Sequence, residues 1–304
     1  MVMMYYDPDY KITRDPAVVK FKDEYFLYYT TLKDKIYIIG IAKSRDLFHW
    51  VKVGELIPTE DYEGKGICAP FAGIDRNGNI FLLYQTNYFS LEESIAYSFS
   101  KDGVNFTKPK DINPILKIQN NWSLPRAIDA DLLETGDRRF LYFATRLRDN
   151  TNEQVIGVAI AETKDPFNFI SVDKPILKGE YKWEKSFVEA PSTCYKNGKF
   201  FMFYGGGTNP QYVGVAISDD GLNWKKLYAE PFIAPDRVLD INGLKWEQKD
   251  ATHPFFFSDG EKDYIFFHSD YKHSENWPRA SAITWVEIEW CDLAPKVLFD
   301  EIRM

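Results

Sequence analysis

Five stretches rich in aromatic and aliphatic residues recur along the chain, and each follows a short polar, turn-forming stretch. They are YFLYYT from Tyr25, IFLLYQ from Ile80, RFLYFA from Arg139, FFMFYG from Phe200 and YIFFHS from Tyr264. Short aromatic runs bounded by Asp, Asn and Gly indicate β-strands. A second apolar strand follows each run, and in four repeats a further turn and an aromatic residue come next. The pattern predicts four short strands per repeat, five repeats and almost no helix.

Repeated units of four strands favour an all-β fold, the five-bladed β-propeller, in which four antiparallel strands form each blade around a central axis. We expect one propeller domain over residues 1–304. A large sandwich or barrel would also contain alternating strands, but it does not require the same order of turns and strands five times. The repeat order therefore favours the propeller.

The repeats also align the start of each blade. Nine or ten residues before each aromatic strand stand Pro16, Pro70, Ala130, Pro191 and Pro254. Directly before these positions stand Asp15, Ala69, Asp129, Ala190 and His253. Glu189 precedes Ala190 by one place. The head of an innermost strand lies beside the propeller axis, so two Asp, one Glu and one His should meet there. Like charges destabilise one another, and their convergence therefore predicts a functional site.

The longer loops should lie on the same face as these residues. They include residues 87–93, 145–153 and 270–279, together with inter-blade segments that hold Trp122, Arg126, Trp183 and Trp246. Aromatic side chains on loops of a rigid scaffold suit the apolar faces of sugars. We therefore expect a sugar-binding surface, although any single Trp more often packs than contacts a ligand.

Composition narrows the class of partner. The formal net charge is −8 and no run of Lys and Arg occurs, which disfavours a nucleic-acid or anionic-membrane partner. No apolar span of the length needed to cross a bilayer is present, and the first residues lack the pattern of a signal peptide. Three widely spaced cysteines fit reduced thiols. We expect a cytoplasmic protein that acts on an oligosaccharide.

Three blade starts resemble those of glycoside hydrolase family 43, the five-bladed propeller glycosidases. They read RDPAVVKFKDEYFLYYT, RAIDADLLETGDRRFLYF and VEAPSTCYKNGKFFMFYGG. The resemblance implies an inverting mechanism on arabinose-, xylose- or galactose-containing glycans. Phe71 stands where endo-arabinanase-like members often carry an Asp, and no C-terminal β-sandwich follows the repeats. The first departure argues against an endo-arabinanase and the second distinguishes the chain from many family xylosidases. Together with the expected cytoplasmic location, they favour an exo-acting enzyme, with α-L-arabinofuranosidase ahead of β-xylosidase.

The chemistry assigns roles to the carboxylates. Inverting hydrolysis needs a protonated acid and a carboxylate base about 6.5–9.5 Å apart, with water between them. Asp15 is the candidate base, and Glu189, with its one-residue offset, is the candidate acid. Asp129 would tune the pKa of the acid or hold a sugar hydroxyl, a role for which Asp131 on the same strand competes.

Four further residues are predicted to bind substrate: Phe71, Trp122, Arg126 and His253. The enzyme should need no cofactor, although an axial Ca²⁺ near His253 fits related propellers. A family 32-like fructosidase and a non-catalytic sugar-binding propeller are the alternatives. A phosphorolytic enzyme is another, in which a phosphate pocket would draw on Arg126, Arg146 or Arg148. The differing blade starts argue against the lectin, whose repeats would carry similar binding residues.

Overall fold

The computed structural model describes residues 4–88, 90, 92–235, 238–241, 244–272 and 281–298. After a short strand β1 (Met4–Tyr5), the first blade comprises β2 (Arg14–Phe21), β3 (Glu24–Lys33), β4 (Ile36–Ser44) and β5 (Val51–Leu56). The second comprises β6 (Ile67–Ile74), β7 (Ile80–Thr86), β8 (Ser94–Ser100) and β9 (Phe106–Thr107). The third comprises β10 (Ile128–Thr135), β11 (Arg138–Arg146), β12 (Gln154–Glu162) and β13 (Ile170–Ser171).

The fourth blade comprises β14 (Val188–Lys196), β15 (Lys199–Gly206), β16 (Tyr212–Ser218) and β17 (Trp224–Lys226). A hairpin of β18 (Val238–Ile241) and β19 (Leu244–Gln248) precedes the fifth, which comprises β20 (Thr252–Ser258), β21 (Asp263–Lys272), β22 (Ser281–Cys291) and β23 (Ala294–Leu298). Two one-turn 3₁₀ helices, Asp61–Glu63 and Lys182–Glu184, precede the second and fourth blades. All strand pairs within the blades are antiparallel, and the predicted five-bladed β-propeller is confirmed.

The fifth blade draws on both ends of the chain. Strand β22 pairs with β23 over one stretch and with the N-terminal strand β1 at Met4 and Tyr5 over another. The chain's first strand is thereby hydrogen-bonded to its last blade, which joins the ends of the ring. The β18–β19 hairpin pairs with the far end of β21.

Aromatic side chains of the second strands fill the spaces between blades. The largest fully buried side chains include Tyr28, Tyr29, Tyr84, Tyr142 and Tyr204. Tyr29 pairs across the sheet with Gly40, where an added Cβ would lie 2.3 Å from the tyrosine ring. Tyr204 covers Gly214 in the fourth blade in the same way. Glycine on the third strand therefore leaves room for the tyrosine ring to lie against the backbone. The tyrosine–glycine pair occurs in both blades and accounts for part of the sequence repeat.

Two buried ion clusters brace the second and fourth blades. The outer cluster of the second blade consists of Glu63, Tyr84 and Lys108, and Glu63 accepts hydrogen bonds from the Tyr84 hydroxyl at 2.9 Å and the Lys108 ammonium at 2.8 Å. The outer cluster of the fourth blade consists of Glu184, Tyr204 and Lys226, with the corresponding distances 2.7 and 2.6 Å. Both glutamates also accept two backbone N–H groups at their 3₁₀ helices. Each buried carboxylate thus has a complete set of partners.

Every innermost strand carries a β-bulge at the position that the sequence repeat predicts. Register between the first and second strands breaks after Arg14, Cys68, Ile128, Glu189 and Thr252. The next residue in each blade has a left-handed backbone, with φ between 47° and 52°: Asp15, Ala69, Asp129, Ala190 and His253. Bulges re-aim side chains, and here they turn five equivalent positions toward the axis. The conformation occurs at Ala as well as at Asp and His, so it belongs to the propeller rather than to catalysis alone.

No helix in the part of the chain that the structure describes has the length and hydropathy needed to cross a membrane.

Candidate active site

A cavity of about 230 Å³ lies at the axis, on the side where the innermost strands begin. All five blades contribute to its wall. The acidic and basic groups that line it are Arg14, Asp15, Glu93, Arg126, Asp129, Glu189, Asp250, His253, His268 and Asp270. A smaller space of about 30 Å³, bounded by the bulge residues and the prolines and alanines that follow them, adjoins the cavity. Asp15, Asp129 and Glu189, predicted from three different blades, therefore share one chamber.

His253 joins the three carboxylates. Its Nε2 lies 3.5 Å from Oδ1 of Asp15 and 3.6 Å from Oδ1 of Asp129. Nitrogen and carboxylate atoms of Asp129, Glu189 and His253 lie within 4.8 Å of one another, and those of Asp15, His253 and His268 form a second such group. Asp15 and Glu189 thus fall into different groups that meet at the imidazole. This arrangement separates the two residues proposed for opposite proton-transfer roles.

The Glu189 carboxyl is buried between two glutamine amides. The Gln211 amide donates to its Oε1 at 2.7 Å, and the Gln154 amide donates to its Oε2. Burial raises the pKa of Glu189; the positive charge of His253 opposes the shift, Asp129 adds to it, and the pKa reaches about 7. A carboxylic acid with that pKa is about half protonated at pH 7, so a large fraction of the molecules holds the proton that a general acid needs.

Asp15 lies on the other side of the imidazole, in a more open position. Its own bulged backbone N–H donates to Nδ1 of His268 at 3.2 Å. Burial lowers the pKa of His268 well below its usual range, helped by the charges of His253 and Arg14, so His268 is neutral and can accept this bond. The side chain of Asp15 meanwhile lies next to His253, with Oδ1 3.5 Å from Nε2 of the imidazole.

His253 carries a positive charge in this setting. Burial would lower its pKa, but the carboxylates of Asp15 and Asp129 outweigh burial and raise it to about 10. Oδ2 of Asp129 is buried and has no hydrogen-bond partner among the described residues. Asp131 faces elsewhere: its carboxylate accepts the backbone N–H of Thr193 at 3.0 Å and the Thr193 hydroxyl. Asp129 is therefore the better placed of the two to act on Glu189.

The charged imidazole also bears on the predicted axial Ca²⁺. Ca²⁺ takes six to eight oxygen ligands, whereas each group at His253 offers three atoms that include an imidazole nitrogen. The described residues alone do not make such a shell, and a protonated His253 already supplies positive charge between the carboxylates. The calcium site remains a prediction.

Comparison with known proteins identifies the family of the chain. The family model for glycosyl hydrolases family 43 matches residues 11–292. The chain belongs to glycosyl hydrolase family 43. It is therefore a glycosidase, and the enzyme prediction is confirmed.

Individual relatives differ in their activities. A 1,2-beta-oligomannan phosphorylase of Thermoanaerobacter sp. (strain X514) is 29% identical over 216 residues, which is 67% of each chain. A thermostable family-43 glycoside hydrolase superposes with a TM-score of 0.74 at 18% identity, covering 97% of this chain and 96% of that one. The α-L-arabinofuranosidase from Lactobacillus brevis gives 0.66 at 18%, with the same coverage. Identities this low show a shared fold and leave the substrate to be argued from the site.

Arg126 of this family 43 enzyme lines the cavity but is committed to protein partners. Its guanidinium forms an ion pair with Glu93 and donates to the Gln154 side-chain oxygen at 3.2 Å. Gln154 in turn holds Glu189. Arg126 thus acts on the acid through Gln154. Of the other arginines proposed for a phosphate pocket, Arg146 also contacts Gln154, and Arg148 donates to the Asn120 carbonyl.

Two predicted substrate-binding residues lie outside the cavity of this glycosidase. Phe71 packs between the rings of Phe81 and Phe255, with centroids 5.9 Å apart in both pairs. Trp122 donates its indole N–H to the Val172 carbonyl at 3.1 Å. Both aromatic side chains are used to pack neighbouring strands, so the structure brings only Arg126 and His253 of the four to the carboxylates.

Several polar residues that line the cavity or contact Glu189 were not predicted from the sequence. They are Arg14, Gln154, Gln211, Asp250, His268 and Asp270. Arg14 occupies the position in the first repeat that Glu189 occupies in the fourth, so the repeat alignment already contained a signal for it. The other five lie at the start or end of second and third strands or in connections, where no repeat position marks them.

Proposed function

We propose that this family 43 enzyme is an inverting, exo-acting hydrolase of arabinose-, xylose- or galactose-containing oligosaccharides, with α-L-arabinofuranosidase as the leading activity. Glu189 is the general acid, Asp15 is the general base, and Asp129 supports the acid. The observation that carries the proposal is the contrast between two carboxyls of one cavity. Glu189 is enclosed by amides with a pKa of about 7, while Asp15 lies beside a cationic imidazole.

The steps follow from that contrast. Glu189 gives its proton to the glycosidic oxygen as the bond to the anomeric carbon breaks. A water held by Asp15 attacks the anomeric carbon from the opposite side and transfers a proton to Asp15. The two amides on Glu189 donate to its oxygens and so stabilise the carboxylate that remains after proton transfer. His253 lies close to both Asp15 and Asp129, and its positive charge offsets the repulsion between the two carboxylates.

The cavity volume supports exo action. About 230 Å³ is smaller than the roughly 300–1,000 Å³ of sites for drug-sized ligands, and one monosaccharide residue suits it. The rings of Tyr37 and Tyr88, with centroids 4.3 Å apart, contribute to one part of the wall and offer an apolar surface. Gln211, Asp250 and Asp270 contribute hydrogen-bonding groups for sugar hydroxyls.

Phosphorolysis is the second candidate, because a 1,2-beta-oligomannan phosphorylase is among the curated relatives. Phosphate is an anion, and six carboxyl groups line the cavity against two arginines and one cationic histidine, His253, since His268 is neutral. Both arginines pair with carboxylates of the same cavity. The charge balance therefore favours water over phosphate as the nucleophile.

A panel of aryl glycosides tests the proposal, with arabinofuranoside, xyloside, galactoside, mannoside and fructoside as the sugars. Each would be assayed with and without inorganic phosphate, and the anomer first released would be read by proton NMR. We expect phosphate-independent release of free arabinose with inverted configuration. A retained anomer would contradict the assignment of Asp15 and Glu189, and glycosyl phosphate formed by the unaltered enzyme would contradict hydrolysis.

A further inference from the structure

The cavity contains a second ion pair whose position bears on the choice of nucleophile. Nη2 of Arg14 donates to both carboxylate oxygens of Asp270, at 2.9 and 2.7 Å. Arg14 begins β2 and directly precedes Asp15, and Asp270 lies near the end of β21 in the fifth blade. Both side chains are about one-third exposed, and both line the cavity. The pair therefore lies on the base side of the site, within reach of solvent.

The Arg14 guanidinium could bind an oxyanion, but the carboxylate of Asp270 already occupies part of it. Planar guanidinium groups bind carboxylate and phosphate oxygens through the same pairs of N–H groups. Asp270 occupies Nη2, and the buried Nε of Arg14 has no hydrogen-bond partner among the described residues. Burial lowers the pKa of Arg14, but the negative charges of Asp270 and Asp15 outweigh burial and raise the pKa above its usual range, so the guanidinium remains cationic. With Asp270 neutral, the same guanidinium would face the cavity with donors free for another anion.

Arg126, the other arginine of the described cavity wall, is less suited to that role. Glu93 and Gln154 occupy its donors, and Glu93 is itself held by the Gln85 amide at 2.7 Å. The Arg126 network leads to Glu189 through Gln154. An anion bound there would lie on the acid side, away from the position of the attacking nucleophile.

We infer that Asp270 is the residue that selects water as the nucleophile. Its carboxylate accepts the hydrogen bonds of the Arg14 guanidinium and thereby prevents inorganic phosphate from binding on the base side of the cavity. The inference rests on the proposed function, since it assumes that the anomeric carbon is attacked from the Asp15 side. Two negative groups, Asp15 and Asp270, then flank the nucleophile position. A neutral water is accepted there, and a phosphate anion is repelled.

Removing the charge of Asp270 should allow inorganic phosphate to bind at Arg14. In Asp270→Asn, the side chain keeps its size, loses its charge and leaves Arg14 as an uncompensated cation. In a turnover with phosphate, a phosphate oxygen forms the bond to the anomeric carbon and the glycosidic bond breaks. Glu189 gives its proton to the departing oxygen, so no base is required. The product would be a glycosyl phosphate of inverted configuration.

The test compares inorganic phosphate as an inhibitor and as a nucleophile. Hydrolysis of the best aryl glycoside would be measured over a range of phosphate concentrations at constant ionic strength, for the unaltered enzyme, Asp270→Asn and Glu287→Gln. Glu287 pairs with Lys262 at 2.8 Å in the same blade but does not line the cavity, so it is the matched control. Phosphorus NMR would detect glycosyl phosphate.

We expect Asp270→Asn to bind phosphate at least about tenfold more tightly than the unaltered enzyme and Glu287→Gln, in competition with substrate. Glycosyl phosphate formed only by Asp270→Asn would add direct support. Equal phosphate affinity in all three proteins would overturn the inference while leaving hydrolysis intact. Glycosyl phosphate from the unaltered enzyme would instead overturn the proposed function. If Asp270→Asn folds poorly, Asp270→Ser serves the same comparison.

Discussion

The outer clusters and the axial site bury charge in opposite ways. In the outer clusters Glu63 and Glu184 are fully buried, and each has a lysine, a tyrosine and two backbone N–H groups as partners. At the axis, Asp129 keeps a buried oxygen without a partner among the residues that the structure describes, and burial raises the pKa of Glu189 to about 7. The blade edges therefore contain matched charges, and the centre contains an excess of carboxylates around one imidazolium.

The difference separates stabilising charge from reactive charge. A buried ion pair with all its hydrogen bonds made is costly to break, because the remaining partner is left charged in a poor solvent. An excess of acids is costly to keep, and neutralising one member relieves the others. Substitutions at the two places should accordingly move different quantities: folding stability at the blade edges and catalytic rate at the axis.

Asp15→Asn should produce the largest loss of activity. Without the base, water is left unactivated for every substrate, so kcat should fall roughly 10²–10⁴-fold for good and poor leaving groups alike. Asn tolerates the left-handed backbone that Asp15 adopts, and one repulsive charge is removed. The free energy of unfolding, measured by urea titration, should not fall. A variant that is inactive because it is unfolded would contradict the prediction.

Glu189→Gln should give a loss that depends on the leaving group. Substrates whose departing oxygen needs a proton should slow by about 10²-fold or more, whereas activated aryl glycosides should slow much less. Asp131→Asn is the matched control, because burial raises the pKa of Asp131 to about 7 as well, but its carboxyl faces Thr193. A plot of log kcat/KM against leaving-group pKa should steepen only in Glu189→Gln; equal slopes in both variants would count against Glu189 as the acid.

Lys226→Met should reduce stability and spare the chemistry. It leaves Glu184 charged in the interior, and breaking such a pair costs about 3–5 kcal/mol. Urea unfolding of Lys226→Met should show a loss of that size, with kcat per folded molecule close to that of the unaltered enzyme. Replacing both residues in Glu184→Gln/Lys226→Met should recover part of the loss. Lys108→Met tests the equivalent cluster of the second blade, and a loss below about 1 kcal/mol in both would erase the contrast with the axis.

Gln211→Leu should have the smallest effect, a shift in the pH profile. The Gln211 amide stabilises the Glu189 carboxylate, so its removal raises the pKa of Glu189 further. Activity that needs protonated Glu189 is lost as pH rises through this pKa, and the alkaline limb of kcat/KM should therefore move upward by about one unit. Gln248→Leu removes a buried amide that donates to Ser269 instead, and its profile should stay in place. A shift to lower pH in Gln211→Leu would contradict the arrangement.

The blade architecture and the three carboxylates followed from the sequence because both depend on the repeat. Aromatic strands at regular intervals predicted the five sheets, and one count along each repeat located Asp15, Asp129 and His253 at equivalent bulges. The offset of Glu189 was visible in the same count. Repeat symmetry thus carried information about position that composition and charge lacked.

The rest of the site breaks that symmetry and was harder to predict. Gln154 is the first residue of β12, and Gln211 directly precedes β16. Both donate to Glu189 from the start of a third strand, a position that the repeat count does not mark. Phe71 stands where endo-arabinanase-like members often carry an Asp and was predicted to bind substrate, but its ring packs between blades. Trp122 was chosen by residue type, and its indole is used by a neighbouring carbonyl. Side-chain direction, which a count along the repeat does not give, decided these cases.

The pairing of β1 with β22 gives the enzyme a built-in check on its own assembly. The bond between the Asp15 amide and His268 spans 253 residues of sequence, and the Arg14–Asp270 pair spans 256. Contacts so distant in the chain must overcome a large loop-closure entropy, and these two require the first and last blades to be neighbours. In a molecule whose ring of blades has not closed, Asp15 therefore lacks its fifth-blade neighbours, His253 and His268. Catalytic competence becomes a readout of ring closure, and partially folded chains should remain inert toward glycans until their two ends meet.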